Sequence, residues 1–223
     1  MSVQRRNLLK GALGGAVVAG PFQGLVAGPA AAAAAASPNR SLDLSPVKDK
    51  RDGVVRLHLP EGFSYRSFHD TESRIELDDG TVLPGRHDGM GAFAGPDDTV
   101  VLVRNHEING PGTAMGPGPT YDPSAPGGTT TIHVTRQGEV LAAHTSLAGT
   151  QMNCSGGIMP WGSWVTCEET VNGPDVGNDF TNGDNSRLQQ KHGYVFEVPA
   201  SWDAGEHQKP VPVRSAGRFA HEA

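Results

Sequence analysis

Ala148-Gly149-Thr150-Gln151-Met152-Asn153-Cys154-Ser155 comes back later in the chain as Ala216-Gly217-Arg218-Phe219-Ala220-His221-Glu222-Ala223. Both octets read Ala-Gly, three variable residues, a polar Asn or His, a ligand-type residue and a small one. His87-Asp88-Gly89, just after Gly85-Arg86, ends in the same way. The ligand-type positions are Asp88, Cys154 and Glu222, spaced 66 and 68 residues apart. What surrounds them also matches. Gly128-Thr129-Thr130-Thr131-Ile132-His133-Val134 precedes the second copy as Gly193-Tyr194-Val195-Phe196-Glu197-Val198 precedes the third. Asp88 leads through a Gly-rich turn to a strand ending Arg104-Asn105-His106-Glu107, and Cys154 leads through Ser155-Gly156-Gly157 and Trp161-Gly162 to a strand ending Thr166-Cys167-Glu168-Glu169. Each unit therefore delivers a ligand-type residue, a turn, a strand and a further carboxylate.

A unit of several strands repeated at this length predicts the blades of a β-propeller, in which equivalent positions of successive blades point at one axis. Asp88, Cys154 and Glu222 are then expected to converge. The rest of the chain agrees with an all-β class. Helical periodicity is hard to find, and short β-branched runs stand between Gly, Pro, Asn and Asp. They cover Val54–Leu59, Thr99–Arg104, Thr129–Thr135, Glu139–His144, Ser163–Glu168, Gly193–Val198 and Val211–Ser215. Thirty glycines and seventeen prolines suit many tight turns. Closed propellers have about four to eight blades. Residues 53–223 hold about three such units, so the expectation is an incomplete propeller, a fragment or truncated form of a longer protein.

The N-terminus reads as an address. Arg5-Arg6-Asn7-Leu8-Leu9-Lys10 has the arrangement of a twin-arginine signal, and a weakly apolar Gly/Ala run leads to A-x-A sites in Ala30–Ala36. Gly20, Pro21, Gln23 and Gly24 interrupt that run, which falls short of the ~20 continuous apolar residues of a membrane span. The organisation expected is a signal peptide over 1–36, a linker over 37–52 and a β-domain over 53–223. The partner during export is the twin-arginine translocase, the destination is periplasmic or extracellular, and no stable membrane anchor is expected. The signal holds three basic residues and no acidic ones, so its removal takes the net charge from −6 to −9. An acidic domain offers no basic field for nucleic acid. Phosphate binding would then need a local site, most simply one built on cations held by oxygen ligands.

Several segments resemble the PhoX alkaline phosphatases. They are Arg104-Asn105-His106-Glu107, Gly127-Gly128-Thr129-Thr130, Ala148-Gly149-Thr150 through Asn153-Cys154-Ser155-Gly156-Gly157, Pro160-Trp161-Gly162-Ser163-Trp164 with Cys167-Glu168-Glu169-Thr170, Lys191-His192-Gly193-Tyr194-Val195-Phe196-Glu197, and Gly217-Arg218-Phe219 with His221-Glu222. The resemblance runs from about Gly85 to the end, and the stretch from Asn153 to Thr170 is its most specific part. It implies a six-bladed propeller with an oxo-bridged di-iron centre and calcium at its axis, and hydrolysis of phosphomonoesters outside the cytoplasm by a monomer. It also implies Cys154 as a thiolate ligand of iron, with Glu169 and Glu222 as the foremost glutamate ligands and Glu107 next.

Read residue by residue, the metal candidates are Cys154, Glu169, Glu222, Glu107, Asp88 and Glu168. Carboxylates hold hard cations and a thiolate suits iron. Cys154 and Cys167 are open to two readings in an oxidising compartment: a disulfide, or a thiolate ligand at Cys154. The register of Cys154 with Asp88 and Glu222 favours the ligand, and leaves Cys167 as a small buried residue. Alternation along a strand lets only one of Glu168 and Glu169 face the axis, with Glu169 preferred. Arg104 is a candidate for gripping a substrate phosphate by paired hydrogen bonds, against an ordinary ion pair. Asn105 joins it as a candidate catalytic residue, on one face with Glu107. Two rival functions use the same carboxylates: a calcium-dependent propeller esterase or lactonase, and a non-catalytic propeller fragment that binds a partner.

Overall fold

A computed structural model describes residues 43–223 apart from 71, 180, 202, 204, 205, 207 and 208. The signal expected over 1–36 and the start of the linker lie outside the described residues. The described chain is all-β with no α-helix, in three antiparallel sheets, none of them closed. Strand β1 (Ser45–Lys48) pairs with β2 (Val55–Leu59), so a hairpin begins inside the stretch expected to be linker. Strands β3 (His87–Ala94), β4 (Val100–His106), β5 (Gly127–Val134) and β6 (Val140–Thr150) form a four-stranded sheet in chain order. Strands β7 (Asn153–Ile158), β8 (Ser163–Glu168) and β9 (Val195–Pro199) form a three-stranded one.

Most β-branched runs became strands with small shifts of boundary, and Ser163–Glu168 matches at both ends, while the run expected over Glu139–His144 continues six residues further, to Thr150. Val211–Ser215 is the exception. Only Val213 bonds to β9, through its N–H to the carbonyl of Val195, before a 3-10 turn at Arg214–Ala216 ends the run. Two strands are glycine-containing with almost no β-branched signal: β3 (HDGMGAFA) has no β-branched residue and β7 (NCSGGI) only its last, Ile158. Each is the first strand of its sheet, and the two face each other. A Cβ on Gly91 would lie 2.7 Å from the Trp164 ring, so that position admits only glycine without displacing the indole. Close approach between sheets, rather than strand propensity, selected these residues.

Alternation along β4 divides its side chains between two cores. Val101 and Val103 face the second sheet, where they pack with Trp164, Phe196 and Val198. Leu102 faces the other way, onto Ile132, Val134 and the Leu77 segment. Asn105 follows the first direction and Arg104 the second.

Candidate metal centre

The repeat read from the sequence has a counterpart in strand register. In β3, His87 pairs with His106 and the next pair is Met90 with Arg104; the register shifts between them, at Asp88 and Gly89. In β7, Asn153 pairs with Glu168 and the next pair is Gly156 with Thr166; the shift falls at Cys154 and Ser155. Asp88 and Cys154 thus occupy the same irregularity of equivalent strands, the device by which a sheet re-aims a side chain. Two residues earlier, Arg86 and Met152 both take a left-handed backbone, at φ 53° and 48°. Their carbonyls accept the N–H groups of Glu107 and Glu169, each at 2.9 Å. Asp88 with Glu107 and Cys154 with Glu169 are therefore the same pair built twice.

The two pairs meet at one end of the seam between the sheets. A Cβ on Gly89 would lie 2.7 Å from the carbonyl oxygen of Cys154 and 2.8 Å from Cα of Ser155. The last residues of the chain return to this point. Phe219 N–H bonds to Gly193 and His221 N–H to Glu168, and the Cys154 thiol then donates to the Glu222 carbonyl at 3.3 Å. Asp88, Cys154 and Glu222 thus lie at the same end of the seam, with the thiol touching Glu222 through its backbone carbonyl.

The electrostatics are those of crowded acids. Burial, then repulsion from Glu107 and to a lesser degree Glu222, raises the Asp88 carboxyl above its ordinary value, against an opposing pull from Arg86. The Cys154 thiol is pushed up to about 11, first by burial and then by the nearby Glu169. It is a protonated thiol at neutral pH without a cation beside it. Both cysteines are free and buried. Glu107 is held by Arg86 Nη2 at 2.5 Å, while Glu169, Glu222 and Asp88 are exposed. The residue types suit a cation: a thiol and four carboxyl groups lie around this end, or mouth, of the seam, and at Asp88 the crowding is of the kind a positive charge would relieve. Among the described residues, however, no group of three or more His, Cys, Asp or Glu is close enough together to hold a metal ion.

Three candidates serve elsewhere. Glu168 is fully buried and its two oxygens accept four hydrogen bonds, from Gln151 N–H, Gly193 N–H, Tyr194 N–H and His192 Nδ1. No lone pair remains for a cation, so Glu168 leaves the ligand set. It anchors the set instead. Its side chain holds the segment leading to Cys154, its carbonyl holds the tail carrying Glu222, and Glu169 follows it in sequence. Asn105 is equally occupied: Nδ2 donates to Ser155 O and Oδ1 accepts from Trp164 Nε1, both at 2.9 Å. Its role is to join the sheets. Arg104 points to the opposite face of β4, toward His69 and Thr130, away from the mouth.

Sequence reasoning missed the clamp behind Glu168. His192, fully buried, sits between Glu168 (2.6 Å) and Asp122 (3.4 Å). Burial alone would lower its pKa, but the bonds to Asp122 and Glu168 outweigh burial and hold it at about 9, so the ring is an imidazolium at neutral pH. Asp122 also accepts from the N–H groups of Ser124, Gln189 and Gln190. Asp122 precedes a proline in a loop, a context that reads only as a turn.

The family model described as "Alkaline phosphatase PhoX" matches residues 42–146 and 139–223. The chain belongs to the PhoX family. The family assignment agrees with the segments quoted above from Gly85 onward, and extends to the N-terminal hairpin. Among solved structures, Pseudomonas fluorescens PhoX in complex with vanadate, a transition state analogue, aligns at 19% identity with a TM-score of 0.43. That alignment covers 64% of this chain, and this chain spans 38% of the length of the Pseudomonas one. No curated protein matches.

Proposed function

We propose that this PhoX-family chain contributes to a metal-dependent phosphomonoester hydrolase, with Cys154, Glu169, Glu222, Glu107 and Asp88 as its cation ligands. The observation carrying this reading is the duplicated pair: Asp88–Glu107 and Cys154–Glu169 stand at equivalent positions of adjacent sheets and meet at one mouth. In the same reading the two larger sheets are successive blades of a propeller, the mouth opens on its axis, and the chain is exported folded behind its twin-arginine signal.

Iron and calcium are the proposed cofactors, on the donor chemistry of one thiolate among carboxylates. Bound there, cations would neutralise phosphoryl oxygens and make water a competent nucleophile at moderate pH. The protein's own part is preparation. Cys154 must give up its proton to act as a ligand, and burial ensures that it does so only to a cation. Glu168 and His192 hold the three ligand-bearing segments in place without touching the cation.

The test is iron and calcium content, with hydrolysis of p-nitrophenyl phosphate, in the exported chain and in Cys154→Ser. The reading expects iron in the parent, its loss in the variant, and activity that follows iron. A parent chain that binds neither metal would instead favour the non-catalytic binding role, and calcium alone with esterase activity would favour the esterase.

A further inference from the structure

Arg104 is the most buried arginine described, at 5% exposure, and it has no carboxylate partner. The more exposed Arg51, Arg56, Arg66, Arg86, Arg136 and Arg218 all have one. All Asp and Glu residues of the sequence lie among the described residues, so no acid of this chain remains to be assigned to Arg104. Its hydrogen bonds are long ones to neutral groups: Nη2 to Thr130 Oγ1 at 3.3 Å and to His69 Nδ1 at 3.4 Å. Nε is buried and has no acceptor among the described residues. Burial lowers the Arg104 pKa only to about 10, which leaves it charged at neutral pH. A buried, charged and under-bonded guanidinium is among the most unfavourable arrangements in a protein unless an anion joins it.

The surroundings are arranged for such an anion. His106 Nε2 shares Thr130 Oγ1 with Arg104, and the His87 ring stacks edge-on against His106 at 5.2 Å. His69 reaches Arg104 from a left-handed backbone, φ 53°, which a histidine adopts only at some conformational cost. His87 and His106 spend their ring N–H groups on the Pro84 and Gly85 carbonyls and Thr130 its hydroxyl proton on His106, so the donors left beside one another are the Arg104 guanidinium and His69 Nε2, with no carboxylate bonded to either. We propose that Arg104, with the Nε2–H of His69, forms a seat for a phosphate-type oxyanion, on the face of the sheet opposite the Cys154 mouth. A guanidinium edge offers two parallel N–H groups, which match two oxygens of one tetrahedral anion and not a single halide. Inorganic phosphate and the phosphoryl end of an organic phosphate share this chemistry, and phosphate is also what the proposed reaction releases. The seat stands independently of that reaction, because no residue of the mouth forms part of it.

The test is thermal unfolding in EDTA, which keeps metal out of the mouth, with inorganic phosphate, glycerol 2-phosphate or chloride at equal ionic strength. At about a hundredfold excess over Kd, phosphate should raise Tm by roughly 5 °C above the chloride value. A matching shift with glycerol 2-phosphate assigns the seat to a phosphoryl group, and a shift with phosphate alone assigns it to the free ion. Arg104→Met should abolish the shift while leaving Tm in chloride unchanged or higher, since it removes an unpaired buried charge. If that variant does not fold, the parent is followed by NMR, and phosphate should move the His69 ring resonances. The proposal is overturned if phosphate does no more than chloride, or if Arg104→Met keeps the full phosphate shift. Loss of iron binding at Cys154 would leave these outcomes untouched.

Discussion

Replacing Glu168 by glutamine changes one oxygen into an NH2 group and removes one charge. Glu168 receives N–H groups from Gln151, Gly193 and Tyr194 and a proton of His192. A glutamine accepts on one side only. If its carbonyl keeps Gln151 and His192, its NH2 faces the N–H groups of Gly193 and Tyr194, and two buried donors lose their acceptor. Each such loss costs about 1–3 kcal/mol. Breaking one side of a buried ion pair costs about 3–5 kcal/mol. These overlap, so the expected destabilisation is roughly 4 kcal/mol, a large part of the 5–15 kcal/mol typical of a domain. The pH dependence carries the sign. His192 has an ordinary value of 6.5 and is raised to about 9 in the fold. Its contribution is therefore fully present below 6.5 and lost as pH rises through 9, a decline of order 3 kcal/mol. Urea unfolding between pH 6 and 10 reads both quantities. The parent should lose stability across pH 6.5–9, and Glu168→Gln should start lower and decline less. A parent curve flat over that window, or a variant within 1 kcal/mol of the parent at pH 6.5, would refute the reasoning.

Gly89→Ala would put a methyl group against the backbone of Cys154 and Ser155, which cannot swing aside as a side chain can. It should destabilise by about 1–3 kcal/mol in urea unfolding and separate the two ligand pairs. Asn105→Ala strands the Trp164 indole N–H and the Ser155 carbonyl in the seam. A loss of roughly 2–3 kcal/mol is expected, with altered Trp fluorescence. The two cysteines should give two thiols per chain with Ellman's reagent after non-reducing denaturation. In the folded, metal-free protein both should react slowly, because burial raises both pKa values.

The repeat was legible because Asp88, Cys154 and Glu222 keep nearly constant spacing. Its second half was blurred: Glu107 follows Asp88 by 19 residues, whereas Glu169 follows Cys154 by 15. The difference lies mainly in the strands, since β3 and β4 run further beyond the irregularity than β7 and β8, while the turns around Pro96–Asp98 and Met159–Gly162 are of similar length. Only the register aligns the two carboxylates. The glycine-rich strands β3 and β7 were invisible to β-propensity because their composition answers to the neighbouring sheet. Val211–Ser215 had the propensity but formed only one bond to β9, since strand formation needs a partner as well as a pattern. Alternation alone says that only one of Glu168 and Glu169 can face the axis. That Glu168 would be the hub, and His192 charged beneath it, depends on contacts 24 to 26 residues apart that no local motif encodes.

Within the two larger sheets every strand pairs with its neighbour in sequence, yet the mouth belongs to neither sheet alone. Each sheet can therefore zip up from short-range contacts before any of the acidic groups has met its counterparts from the other. Bringing Asp88 and Glu107 up to Cys154 and Glu169 is then a late docking step, and it works against charge repulsion. On the metal-dependent reading proposed above, a cation entering at that stage would act on the closing of the seam, not on the making of the strands. Metal supply would change how fast and how completely the two halves stay together, while the strand content of each half would barely register it.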